Sequence, residues 1–249
     1  MGVSTERDSA GIAVITVDYP PVNALPARGW FDLAEALRLA GRDERTRVVV
    51  LAAEGRGFNA GVDLKELAAD PGHAALLAVN RGCHEAFRAV YECEVPVVSA
   101  VQGFCLGGGI GLVGNSDVVI AATDAVFGLP EVARGALGAA THLSRLVPQH
   151  TARAMLYTGA TVGAEELRRF GSVWRVVPRD ELLGAATEFA AEIAARDPLI
   201  IRRAKESLNG IDPVDVNRSY RYEQGFTFEL SLDGVADRTR RAFVDGESS

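Results

Sequence analysis

Two glycine-marked turns stand out as places where chemistry could be done: Phe58-Asn59-Ala60-Gly61-Val62-Asp63-Leu64 and Gly103-Phe104-Cys105-Leu106-Gly107-Gly108-Gly109-Ile110-Gly111, each placed after a strand-like run. Either turn can free backbone N–H groups at the start of a helix, where unpaired donors and the helix dipole both favour negative charge growing on an oxygen. Together the two can build one oxyanion hole. The second turn also contains Gly109-Ile110-Gly111-Leu112-Val113-Gly114, which matches the G-x-G-x-x-G pattern of dinucleotide-binding folds. That fingerprint needs its glycines at the strand's end, then a full crossover helix and a second parallel strand. Here the triple glycine lies well beyond Val101 and the next strand begins near Asp117, leaving room for a short helix only. A dinucleotide site is therefore not expected. The histidines and the three cysteines, Cys83, Cys93 and Cys105, show no metal-ligand spacing, and the thiols read as reduced and mostly buried.

The elements that must hold these turns alternate between strand-like and helical patterns, which predicts an α/β architecture. Ile12–Val17 and Arg47–Ala52 read as strands flanking a helix from about Arg28 to Ala40, with Phe31, Leu33, Leu37 and Leu39 clustered on its apolar side. Pro96–Val101, Asp117–Ala122 and Val173–Val177 are further short strands, while Ala74–Tyr91 and Glu181–Ala195 have helical spacing. After Asp197-Pro198 the composition shifts to charged helix with interspersed aromatics, through Tyr220-Arg221-Tyr222-Glu223-Gln224-Gly225-Phe226-Thr227-Phe228. So many aromatics do not suit a solvated tail, and they predict packing on the core or on another subunit.

The 249 residues, 48% of them hydrophobic, suffice for one sizeable domain or a domain with an appendage. A formal net charge of −7 disfavours general binding to nucleic acid, which needs a basic face to displace counterions. The segment Met1–Asp8 is polar, without the apolar stretch of a signal peptide, and no apolar run approaches the roughly 20 residues that span a bilayer. A soluble, cytoplasmic protein with no nucleic-acid or membrane partner is the expectation.

Over nearly the whole chain the sequence resembles the crotonase, or enoyl-CoA hydratase/isomerase, superfamily. Val22-Asn23-Ala24-Leu25 is similar to the family's early N-A-L turn, and Phe58 to Lys65 to its F-x-A-G-x-D-[LI]-K segment. Gln102 to Gly111 resembles its triple-glycine element, and Phe127-Gly128-Leu129-Pro130-Glu131 falls where the family has F-G-x-P-E. The resemblance implies a crotonase-like α/β spiral of β-β-α units over residues 1–196, carrying the CoA-ester active site. It also implies a C-terminal helical region, 197–249, used for oligomer packing as a homotrimer or dimer of trimers.

Carried onto this chain, the resemblance assigns the backbone N–H groups of Ala60 and Gly108 to the thioester carbonyl of an acyl-CoA substrate. Ala60, Asp63, Leu64 and Lys65 then border the CoA; Lys65 could equally be a solvated surface lysine, and Asp63 a helix cap. No cofactor is expected beyond the coenzyme A of the substrate itself. Hydratases of the family use two glutamates about twenty residues apart. Here Glu131 matches the second, and Gly111 stands where the first should be. One carboxylate still suffices for double-bond isomerisation or for activating water. A second departure is Gly138-Ala139-Ala140-Thr141-His142, where the family has a glycine-rich turn. His142 could donate to a substrate ketone, help activate water, or tie the loop to its neighbour.

These departures, with Val113-Gly114-Asn115-Ser116-Asp117 and the tail Glu223–Leu230, resemble a steroid-degrading branch of the family. That resemblance implies hydrolytic C–C ring opening of a bicyclic β-diketone CoA thioester, with Glu131 activating water and Gly111 leaving room for fused rings. An enoyl-CoA hydratase or Δ3,Δ2-enoyl-CoA isomerase of fatty-acid metabolism is the alternative enzyme, and a non-catalytic acyl-CoA or RNA binder the alternative of another class.

Overall fold

The computed structural model describes residues 1–69, 73–236 and 238–239. Of the C-terminal region expected at 197–249, residues 237 and 240–249 lie outside the described residues. The strands are β1 (Gly2–Arg7), β2 (Ile12–Asp18), β3 (Val48–Ala53), β4 (Val97–Val101), β5 (Phe104–Leu106), β6 (Val118–Ala122), β7 (Val126–Gly128), β8 (Thr161–Gly163) and β9 (Arg175–Val177). The helices are α1 (Ala27–Arg42), α2 (Leu64–Ala69), α3 (Ala74–Tyr91), α4 (Gly108–Val113), α5 (Ala140–Leu143), α6 (Gln149–Thr158), α7 (Ala164–Phe170), α8 (Leu182–Ala194), α9 (Pro198–Gly210) and α10 (Val216–Leu232).

The main sheet runs β1-β2-β3-β4-β6-β9, antiparallel at β1/β2 and parallel from there on. Its inner strands are apolar on both faces, as parallel strands covered on both sides must be. Val49 and Leu51 of β3 point to the core shared with α1 and α3, whereas Val48 and Val50 point to the core shared with Leu182, Ala186, Ala190 and Ala194 of α8. The smaller sheet, β5-β7-β8, stacks at the end where the glycine turns lie. β1, β5, β7 and β8 add to the strands expected from the sequence.

The expected β-α-β unit is β2-α1-β3, but its helix buries a different stripe. Trp30, Leu33, Ala34 and Leu37 are buried at helical spacing, while Phe31 is 37% and Leu39 62% exposed. Residues 31 and 33 lie two apart and so project to different sides of a helix, and only one can face the core. The G-x-G-x-x-G segment forms α4, a six-residue helix buried against α3 and α5, with no crossover to a dinucleotide-binding strand. Among the described residues no helix is long and apolar enough to cross a membrane.

Candidate active site

The two glycine turns are stitched together by backbone and asparagine hydrogen bonds. The Asn59 N–H donates to the Phe104 carbonyl (3.1 Å), and the Leu106 N–H donates to the Asn59 carbonyl (2.8 Å). The Asn59 side chain adds two more: Nδ2 donates to the Asn23 carbonyl (2.6 Å) and Oδ1 accepts the Gly61 N–H (2.8 Å). Asn23 is itself held in a left-handed conformation (φ 52°), with its amide donating to the carbonyls of Glu54 and Gly57. These buried bonds, all satisfied, fix the chain path on either side of Ala60.

Gly107 has φ 57°, and a Cβ there would also collide with Oε1 of Glu131, so both backbone and space demand glycine. A Cβ on Gly108 would lie 2.6 Å from Cη2 of Trp30 and 3.5 Å from the Cα of Gly61, which places the second turn between the indole and the first turn. Neither the Ala60 N–H nor the Gly108 N–H donates to any group among the described residues. Both residues line one cavity of about 100 Å³ together with Glu131. Glu131 is carried there by a 3-10 turn, Pro130–Arg134, which directly follows β7, and Leu129 before it is fully buried as an anchor. Two backbone donors and one carboxylate can stabilise an oxyanion and move a proton beside it.

Gly111 does not open this cavity. A Cβ there would run into the ring of Phe87, which fills the space beside the glycine and itself lines the cavity. Phe87 is locked in an edge-on contact with Trp30 (centroids 5.7 Å) and another with His142 (5.1 Å). The expectation of room for fused rings at Gly111 is thus corrected: an aromatic ring from α3 occupies the place where a second carboxylate would enter.

His142 lies behind the cavity wall and is not one of its lining residues. It is buried on α5, packed against Phe87 and Tyr220 (5.0 Å). Its Nδ1 sits 3.1 Å from Oδ1 of Asn115, whose Nδ2 donates to the Phe87 carbonyl, so the network assigns the imidazole proton to Nδ1. Nε2 is buried without a partner among the described residues. Burial, reinforced by the Arg145 and His84 charges, lowers the pKa to about 3, so the ring is neutral near neutral pH. From this position it supports the wall through Phe87 and Tyr220. His84 is half-buried and stacked on Tyr220, while His73 and His150 are at the surface.

The wall opposite the glycine turns comes from α3 and α10. Glu223 of α10 accepts the N–H groups of Ala140 (2.8 Å) and Thr141 (2.5 Å) and the Thr141 hydroxyl, and burial raises its pKa. Thr227, one turn on, bonds both the carbonyl and the N–H of Leu137. The C-terminal helix therefore clamps the cavity-lining loop 135–139 from one side. Ala139 within that loop is left-handed (φ 58°), a conformation that glycine would adopt without strain.

On the other side of Ala60 runs a groove of about 550 Å³, lined by Tyr19, Val22, Val62, Asp63, Leu64 and Lys65 among others. The four residues expected to border the CoA thus share one surface. Asp63 caps α2, its Oδ1 accepting the Lys65 N–H (2.9 Å), and Lys65 is exposed. Sequence reasoning missed Asn59, Cys83, Phe87 and Tyr220 as site residues; of the last three, all on the cavity wall, Cys83 and Phe87 share one face of α3 at i, i+4 spacing. That spacing is the signal for Phe87, whereas nothing local in the sequence marks its fit against Gly111.

The sequence profile described as Enoyl-CoA hydratase/isomerase matches residues 7–225, and the chain belongs to that family. The fold is the crotonase-like spiral: the structure superposes on that of an enoyl-CoA hydratase/isomerase from Xanthobacter autotrophicus with a TM-score of 0.87 at 28% identity, over 98% of this chain and 92% of the other. Among individual relatives, a protein of Rhodococcus jostii is 63% identical over 98% of this chain and 95% of its own length. One from Mycobacterium tuberculosis is also 63% identical, over 98% and 99% respectively. Both are named (7aS)-7a-methyl-1,5-dioxo-2,3,5,6,7,7a-hexahydro-1H-indene-carboxyl-CoA hydrolase.

Proposed function

We propose that this protein hydrolyses a CoA thioester whose acyl part is a bicyclic diketone, opening one ring by C–C cleavage in steroid breakdown. The observation that carries the reading is the single carboxylate, Glu131, beside the Ala60 and Gly108 amides, with Phe87 closing the place of a second. Glu131 takes a proton from water, and the hydroxide adds to a ring ketone carbon. Collapse of the adduct breaks the bond to the neighbouring ring carbon and leaves a carboxylic acid. The released electron pair is delocalised onto the thioester oxygen, where the amides of Ala60 and Gly108 hold it; each such donor is worth about 3 kcal/mol of barrier. Glu131 then returns its proton to carbon, so that one water is added overall.

The CoA is placed in the groove lined by Asp63, Leu64 and Lys65, which meets the cavity at Ala60. The test is product mass from purified protein offered the diketone thioester, crotonyl-CoA and a 3-enoyl-CoA. Gain of one water with ring opening on the diketone alone is expected, together with loss of turnover but retained binding in Glu131→Gln. Hydration of crotonyl-CoA, or isomerisation of the 3-enoyl ester without mass change, would overturn the reading in favour of an ordinary hydratase or isomerase.

We further infer assembly as a homotrimer or dimer of trimers through the C-terminal helices. Leu208, Ile211 and Tyr222 leave large apolar surfaces exposed there, which supports burial against further copies.

A further inference from the structure

Among the polar groups of the cavity wall that the hydrolysis described above leaves without a role, Tyr220 is the one held among aromatic rings. Tyr220, on α10, is 6% exposed and lines the same cavity as Glu131. Its ring is enclosed by Phe87 (5.1 Å), His142 (5.0 Å) and, stacked parallel, His84 (6.3 Å). Such packing removes the rotational freedom of the ring and fixes where its hydroxyl can be.

One helical turn on, Gln224 anchors this stretch of α10. Gln224 is buried, its Oε1 accepts Nη1 of Arg221 (2.8 Å), and its Nε2 donates to the Asn80 carbonyl (2.8 Å). The same Nε2 also reaches Oδ1 of Asn80 (3.3 Å), so Gln224 ties α10 to α3 one turn from Tyr220. A neutral phenol has one proton to give. Burial, with the nearby Cys83, Glu223 and Glu131 groups, holds the Tyr220 pKa well above its ordinary value, so the proton stays in place.

The geometry points to Tyr220 as a further catalytic residue, donating a hydrogen bond to the ring ketone that is attacked, with the rings of Phe87, His142 and His84 fixing its direction. This assignment rests on the ring-opening reading given above. Hydroxide addition turns the ketone oxygen into an alkoxide, and a preorganised donor binds the alkoxide more strongly than the ketone. The O–H bond of Tyr220 is never broken; the proton that reaches carbon comes from water through Glu131. The cavity then carries two oxygen-recognition points, the amide pair for the thioester and Tyr220 for the ketone, with the base between them in function.

The experiment compares wild-type protein and Tyr220→Phe, which keeps the ring and removes only the hydroxyl, on two ligands. One is the diketone thioester; the other is its analogue with the ring ketone reduced to a methylene. Wild-type protein is expected to bind the diketone about ten-fold more tightly than the analogue, and Tyr220→Phe to lose that preference. The kcat on the diketone should fall about a hundred-fold in the variant, by more than KM changes. An unchanged preference and kcat in Tyr220→Phe would overturn the assignment while leaving the ring-opening reading standing. Failure of the wild-type protein to open the diketone would remove both.

Discussion

Lowering the pH should destabilise this protein through His142, and the size of the effect follows from its burial. The imidazole pKa lies at about 3 in the native state against an ordinary value of 6.5. Above pH 6.5 both native and unfolded chains hold the ring neutral, and it contributes no pH dependence. As pH falls below 6.5 the unfolded chain takes up the proton and the native chain does not, so stability is lost progressively until about pH 3. At about 1.4 kcal/mol for each pH interval of one, the loss between pH 7 and pH 5 is about 2 kcal/mol. Against a domain stability of roughly 5–15 kcal/mol that is a large fraction. The perturbation is His142→Gln, whose amide can still donate towards Oδ1 of Asn115 but does not titrate. Its loss of packing appears as a constant offset. Urea unfolding of both proteins at pH 7 and pH 5 should show wild type losing about 2 kcal/mol more than the variant over that range. Parallel pH dependences would refute the reasoning and mean that the native imidazole accepts a proton as readily as the unfolded one.

Gly111→Glu should not create a hydratase, because the new Cβ meets the Phe87 ring; the variant should lose about 1–3 kcal/mol of stability by overpacking. Adding Phe87→Ala should return part of that stability, and a thermal melt of the single and double variants separates this from simple additivity, which would sink the steric argument. Light scattering on the purified protein should give the mass of three or six chains, and a monomer mass would remove the proposed C-terminal assembly.

Long elements were legible because they repeat their pattern. The helix expected over Ala74–Tyr91 is α3 to the residue, and the strands around Val49, Val98 and Ile120 fall where apolar runs stop at turn residues. The stripe on α1 misled because Phe31 and Leu39 are apolar yet face away from the core, and apolar type alone does not say which of two sides is buried. β5, β7 and β8 are three residues each, too short to show any period. At the site, the glycine turns carry their meaning locally, since left-handed backbone and close approach are properties of glycine itself. The vacancy of a carboxylate at Gly111 was equally plain. What fills the space was not, because Phe87 reaches it from another helix. Tyr220 was hidden for the same reason: its neighbours Phe87 and His142 come from segments remote in sequence. For His142 the residue type suggested chemistry, while its packing behind Phe87 and Tyr220 depends on segments remote in sequence.

The clamp between α10 and loop 135–139 divides the site by position along the chain. The amide pair and Glu131 are complete by residue 131, whereas another wall of the cavity is closed by Tyr220 and Thr227, and braced by Glu223, more than eighty residues later. Substitutions along one face of α10 can therefore reshape the cavity while the glycine turns and Glu131 stay constant. Such a division makes the shape of the cavity and its pair of backbone donors separable properties of the chain, open to change one without the other.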